Sequence, residues 1–171
     1  MVNDSIVAFF SDAVSAMDEE TFSTTSGRHE DQQLWELLAL LVALRLWLDD
    51  PRPELDTVGA KLHGKRIQLV LKGDNVGSLT LAVKLRPKGP KMALLSREIA
   101  LLLAKLSFAP KALHTPGVAH VVADKLSRLQ SDDDDYPKTH QALLNVVRES
   151  CADRNRQWYR TISPYAPLNS A

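Results

Sequence analysis

The segment from Leu34 to Leu48 (LWELLALLVALRLWL) constrains this chain more than any other stretch. It is apolar nearly all round at helical spacing, with Glu36 and Arg45 as its only charges. Such a helix is unstable on a surface and has to be packed from more than one side. The pattern predicts a helix from Asp31 to about Leu48, opened by Asp-Gln-Gln and ended by Asp49, Asp50 and Pro51. The run is shorter than the ~20 residues a bilayer span needs. A chain of 171 residues, 44% hydrophobic and 25% charged, can bury a single-domain core around it. One cysteine, Cys151, excludes an internal disulfide framework and a Cys-rich zinc site. With no charged-then-apolar leader at the start, the expectation is an intracellular protein, cytoplasmic or nuclear, without membrane attachment.

Around this helix the chain alternates. Ser5–Phe10 (SIVAFF) reads as a short strand and Ser11–Gly27 as a polar, irregular connection. Lys65–Lys72 reads as a strand covered on both faces, because Ile67, Leu69, Val70 and Leu71 leave little alternation. Asn75–Leu85 has a helical pattern, Arg86–Pro90 (RPKGP) is a breaker-rich loop, and Met92–Leu106 is a second long helix. Phe108–Leu113 is a short strand interrupted by Pro110, and Gly117–Leu129 is a helix. Four aspartates, Asp132–Asp135, with Tyr136-Pro137 form an acidic linker at 131–137. Beyond it, 138–171 reads as an amphipathic helix (Lys138 to about Ser150) and a loosely attached tail. The order of elements points to an α/β architecture.

A net charge of zero conceals segregation. Residues 1–60 carry 3 basic and 12 acidic side chains, and residues 61–111 carry 11 basic and 2 acidic. A basic middle third is a candidate phosphate-facing surface, since Lys and Arg that displace counterions supply most non-specific nucleic-acid affinity. It is equally the pattern of a solvated face.

Three acids occupy positions awkward for ordinary packing. Glu36 shares a helix stripe with Leu40, Ala43 and Trp47, where an unpaired charge is costly unless a cation compensates. A first-turn Glu favoured by the helix dipole explains it as well. Asp74 follows an apolar strand and precedes a helix, the place where ligands collect in parallel α/β sheets. Asp74 or Asn75 could equally cap that helix. Asp124 has His120 one turn before it and Arg128 one turn after it, which suits either a ligand or a surface ion pair. The five histidines show no zinc-ligand spacing, and no Ser or Cys stands in a nucleophile-elbow context.

Taken together and in order, QQLWELLALLVALRLWL, IQLVLKGDNVGSLTLAVKL followed by REIALLLAKLSF, and HTPGVAHVVADKLSRL resemble the ribonuclease H domain of retroelement reverse transcriptases. The resemblance covers roughly residues 5–130, continues weakly through DRNRQWYRT, and is most specific in PGVAHVVADKLSR. It implies a ribonuclease H-like fold with a mixed sheet flanked by helices over residues 1–130, and two-metal hydrolysis of RNA in an RNA–DNA hybrid. Glu36, Asp74 and Asp124 would be the catalytic, metal-holding acids. The metals would be two Mg²⁺ (or Mn²⁺) about 4 Å apart, for which hard oxygen ligands are suited. Asn75, Arg86, Lys88, Lys91 and His114 would contact the nucleic acid. The polymerase domain of the parent protein would be a partner. At position 120 the chain has His where the family usually has Asn.

The chain departs from the family at its start, where the first family acid lies on a first, central strand. Asp12 in FFSDAV looks like a substitute, but only 23 residues separate it from Glu36, and Asp18–Gln33 is too polar to hold the two intervening strands. SIVAFFSDAVSAMDEE resembles instead the third strand and the loop after it. The expectation is therefore an N-terminally truncated domain with an incomplete sheet and metal site, and weak or absent cleavage. The alternatives are a non-catalytic nucleic-acid-binding module and a helical interaction remnant docking through residues 31–48.

Overall fold

The computed structural model describes residues 6–49, 67–105, 108–116, 121–127, 143–151, 153–155 and 158–159. Among them the chain is a mixed α/β structure with five helices and two parallel two-stranded sheets.

The apolar segment forms helix α2 (Gln32–Leu44), preceded by a 3₁₀ turn at His29–Asp31 and continued by a π-helical turn at Arg45–Asp49. Leu34, Leu37, Leu38, Leu41, Val42 and Leu44 are all buried, a broad stripe at three- and four-residue spacing. Each such side chain stabilises the fold by about 1.5–3 kcal/mol on burial. The stripe packs against α3 (Val76–Lys84) and α4 (Pro90–Lys105), whose Leu79, Ala82, Leu95 and Ile99 complete the core. Packing from more than one side, as the sequence requires, is thus met by two neighbouring helices.

On the far side of α3 and α4 lies a parallel pair, β2 (Ile67–Gly73) with β3 (Phe108–His114), in continuous register from Ile67↔Phe108 to Gly73↔His114. Leu69, Leu71, Phe108 and Ala112 face the helices. The opposite face carries Val70 and Leu113, 44% and 40% exposed. The expected covering of both faces of β2 is therefore met on one face only. Pro110 is accommodated because, among the described residues, β3 pairs on one edge alone.

Three sequence expectations are corrected. The stretch 11–27 is not irregular throughout, for it contains helix α1 (Ala16–Phe22). Ser15 opens it with a reciprocal cap: its hydroxyl accepts from the Asp18 amide at 3.2 Å, and Asp18 Oδ2 accepts from the Ser15 amide at 2.7 Å. The predicted helix from Lys138 to Ser150 is absent from its described part. Residues 143–146 turn, and β4 (Val147–Arg148) pairs in parallel with β1 (Ala8–Phe9), extended by Glu149 N donating to Phe9 O at 2.8 Å. Two β-branched residues in a short apolar stretch satisfy a strand as readily as a helix, and the waiting backbone of β1 decided the matter. Of the helix expected over Gly117–Leu129, Val121–Ser127 forms α5. Its remaining residues, like the acidic linker at 131–137, lie outside the described ones.

The third correction concerns the tail. Tyr159 is 2% exposed and packs edge-on against Phe22, and Arg154 is buried against α1. Arg154 donates from Nε and Nη2 to both carboxylate oxygens of Asp18 at 2.8–3.0 Å, from Nη2 to Ala13 O at 2.8 Å, and from Nη1 to Asp12. The Tyr159 hydroxyl donates to Asp18 as well. A second ionic group lies alongside. Glu98, 1% exposed, accepts from Arg45 at 2.8 Å and from Arg97 at 2.6 Å, while the Arg45 guanidinium stacks 4.2 Å from the Trp158 ring centre. Arg154, Trp158 and Tyr159 thus belong to the core: Arg154 and Tyr159 bind the buried Asp18, and Trp158 covers the Arg45 guanidinium that binds the buried Glu98.

Candidate functional site

Asp74 stands at the carboxyl end of β2, in a turn held by one backbone bond and one histidine ring. Gly73 O accepts from Thr115 N at 2.8 Å, and the His114 ring nitrogen Nε2 lies 3.1 Å from Asp74 O, so the end of β3 fastens the turn. Asn75 follows as the N-cap of α3, its Oδ1 accepting from Ser78 N at 3.1 Å. The capping alternative raised by the sequence therefore falls to Asn75, which leaves the Asp74 carboxylate exposed and uncommitted to the cap.

Glu36 reaches this turn from α2. It lies in the second turn of that helix, not the first, and is half-buried. Gln32 Nε2, one turn earlier, donates to Glu36 Oε1 at 3.3 Å, and the buried Ser78 hydroxyl meets Glu36 Oε2 at 3.1 Å. Burial pushes the Glu36 carboxyl above its ordinary range, and the negative charge of Asp74 adds to the rise; the bonds from Ser78, Gln32 and Asn75 work against both. Two of the three acids singled out in the sequence are therefore electrostatic neighbours, brought together by helix–helix packing across 38 residues of chain.

Asp124 is exposed on α5, a helix tied to the end of β1 by the Ser11 hydroxyl donating to Leu126 O at 3.2 Å. Among the described residues no three His, Cys, Asp or Glu side chains stand close enough to share a metal ion, so Asp124 does not join Glu36 and Asp74 in a cluster. His120 and Arg128, the neighbours that framed Asp124 in the sequence, lie outside the described residues. Asp12, the apparent substitute for a first-strand acid, is bound to Arg154 and to the Ala13 amide, the latter at 2.9 Å.

The basic candidates separate into two kinds. Arg86 and Lys88 are exposed on the connection between α3 and α4. Lys91 is turned inward along the surface, 3.6 Å from Asp31 and 3.5 Å from Ser23 O, where it fastens α4 to the start of α2. Sequence reasoning missed Ser78 and Gln32. The i,i+4 spacing of Gln32 and Glu36 was a usable signal, whereas nothing local connects Ser78 with Glu36.

The Glu36 and Asp74 carboxylates are hard-oxygen donors of the kind Mg²⁺ or Mn²⁺ takes, these ions typically using one or two protein carboxylates and keeping several waters, while the Asn75 side chain donates to Glu36 and spends its oxygen on the helix cap. The raised Glu36 pKa has a consequence for stability. A carboxyl whose folded pKa is raised favours the folded state while protonated, and that contribution is lost as pH rises through the folded value. Glu36→Gln is therefore expected to raise Tm slightly at pH 7, where the wild-type group is charged. The gain should shrink below pH 4, as thermal melts at both pH values would read.

No protein-family model, curated protein sequence or solved structure matches this chain at a significant level. No helix among the described residues is long and apolar enough to cross a membrane.

Proposed function

We propose that this chain is the ribonuclease H-like portion of a retroelement reverse transcriptase, with an incomplete centre for two-metal hydrolysis of RNA in RNA–DNA hybrids. The observation that carries the reading is the pairing of Glu36 with Asp74 at the carboxyl end of a parallel strand. The engagement of Asp12 with Arg154 supports the incompleteness, since that acid already has a structural partner. In this mechanism Glu36 and Asp74 would hold the cation, and Asp124, exposed on α5, is the third acid that the resemblance assigns to the site. A bound Mg²⁺ supplies Lewis-acid stabilisation of the charge that develops on phosphate oxygens. The His114 ring, oriented by Asp74 O, and the Asn75 amide border the hybrid backbone, and the exposed Arg86 and Lys88 contribute phosphate contacts.

The test is a labelled RNA–DNA duplex incubated with Mg²⁺ or Mn²⁺. The expected result is slow or no cleavage, with weak Mn²⁺ binding that disappears in Asp74→Asn. Efficient cleavage lost in that variant would overturn the incompleteness, and absence of any cation binding at Asp74 would overturn the metal reading.

A second reading, a non-catalytic nucleic-acid-binding module, is favoured by the exposure of Lys84, Arg86 and Lys88 in one short stretch. It requires duplex affinity that falls steeply with salt and survives Asp74→Asn. Docking through α2 has less support, because the leucines that would form the surface are buried against α3 and α4.

A further inference from the structure

We infer that Ser78 is a positioning residue that fixes the Glu36 carboxylate beside Asp74, an inference that rests on the cation reading of that pair. Ser78 is 6% exposed in the first turn of α3. A serine inside a helix commonly turns back to bond a carbonyl of its own preceding turn. Here the hydroxyl reaches across to α2 instead, 3.3 Å from Gln33 O and 3.1 Å from Glu36 Oε2. A hydroxyl has a single proton to donate, and the charged, nearer oxygen is the stronger acceptor.

Both ends of this link are fixed. The Ser78 amide is held by the Asn75 cap, and Asn75 directly follows Asp74. One turn of backbone therefore carries one carboxylate in its chain and grips the other through its hydroxyl. Gln32 takes the second oxygen of Glu36, so the carboxylate is held at Oε1 and Oε2 alike. At Gly77, in the same turn, the Gln33 side chain of α2 reaches over the α3 backbone into the space a Cβ would take, so the two helices lie side by side at this point. Partners that orient metal-holding side chains in this way commonly contribute 10–100-fold to metal affinity.

The experiment is an Mn²⁺ titration of the full chain, followed by paramagnetic broadening of the Asp74 and Asn75 amide signals, with Tm measured alongside. Ser78→Ala deletes the hydroxyl, and Ser78→Cys fills its space with a much weaker donor. The expected result is Mn²⁺ binding about tenfold weaker in both variants, with the Asn75 cap signals retained. Unchanged affinity in both, or weakening in Ser78→Ala alone, would overturn the inference, since the residue would then act only through packing. If the wild-type chain shows no broadening at Asp74, the cation reading fails and takes this inference with it, an outcome distinct from the other two.

Discussion

Arg154→Ala is expected to lower folding stability by about 3–5 kcal/mol, the range for removing one partner of a buried ion pair. Asp18 is fully buried and would keep its charge with only the Ser15 amide and the Tyr159 hydroxyl left to satisfy it. Burial alone would push the Asp18 carboxyl up, but the bonds from Arg154, Tyr159 and Ser15 outweigh it and hold the group below its ordinary value. A depressed carboxyl adds stability above the unfolded pKa, and this contribution disappears as pH falls toward the folded one. The penalty of Arg154→Ala should therefore be full at pH 7 and smaller at pH 3, where Asp18 can accept a proton. Urea denaturation at the two pH values measures it. The paired replacement Asp18→Leu with Arg154→Met should recover most of the loss, because an apolar pair of similar volume removes the stranded charge. Equal destabilisation by the single and paired changes would show that the ion pair is not the source.

Ending the chain at Ala152 is expected to have the largest effect of all, the loss of cooperative folding. It removes Arg154 together with Trp158 and Tyr159, and so exposes Asp18, Phe22, Arg45 and Glu98 in one step. Tyr159→Ala alone should cost about 3–5 kcal/mol, as for other large buried aromatics. It also deletes a hydroxyl bonded to Asp18. Domains of this size have a total stability of about 5–15 kcal/mol, so the combined loss is comparable with the whole. Circular dichroism melts and dye binding to exposed apolar surface would detect it. A truncated chain that melts sharply near the wild-type temperature would return the segment to the status of a loose extension.

These two cases also mark where the sequence could and could not be read. The α2 pattern was legible because thirteen residues of helix repeat one apolar rule, and β2 and β3 because they are short apolar runs bounded by turn residues. A cap at Asp74 or Asn75 was legible, since capping is a local bond within one turn, and the structure assigns it to Asn75. Helix α1 was missed because its signal, Ser15 three residues before Asp18, is a single reciprocal bond in polar sequence. Strand β4 was read as a helix because its ladder partner lies at the opposite end of the chain, Ala8↔Val147. In the candidate site, the positions of Glu36 and Asp74 were visible, but their proximity and the role of Ser78 depend on how α2 meets α3.

By itself the sequence determined where this chain is apolar and where its longest helices and central strands run, because those preferences act between near neighbours. Only the tertiary structure decided which acids are buried and which remain open. Asp18 and Arg154 are 136 residues apart, and the cost of burying either depends largely on the presence of the other. Glu36 takes its character in the same way, from a strand end and a helix start that no local pattern connects to it.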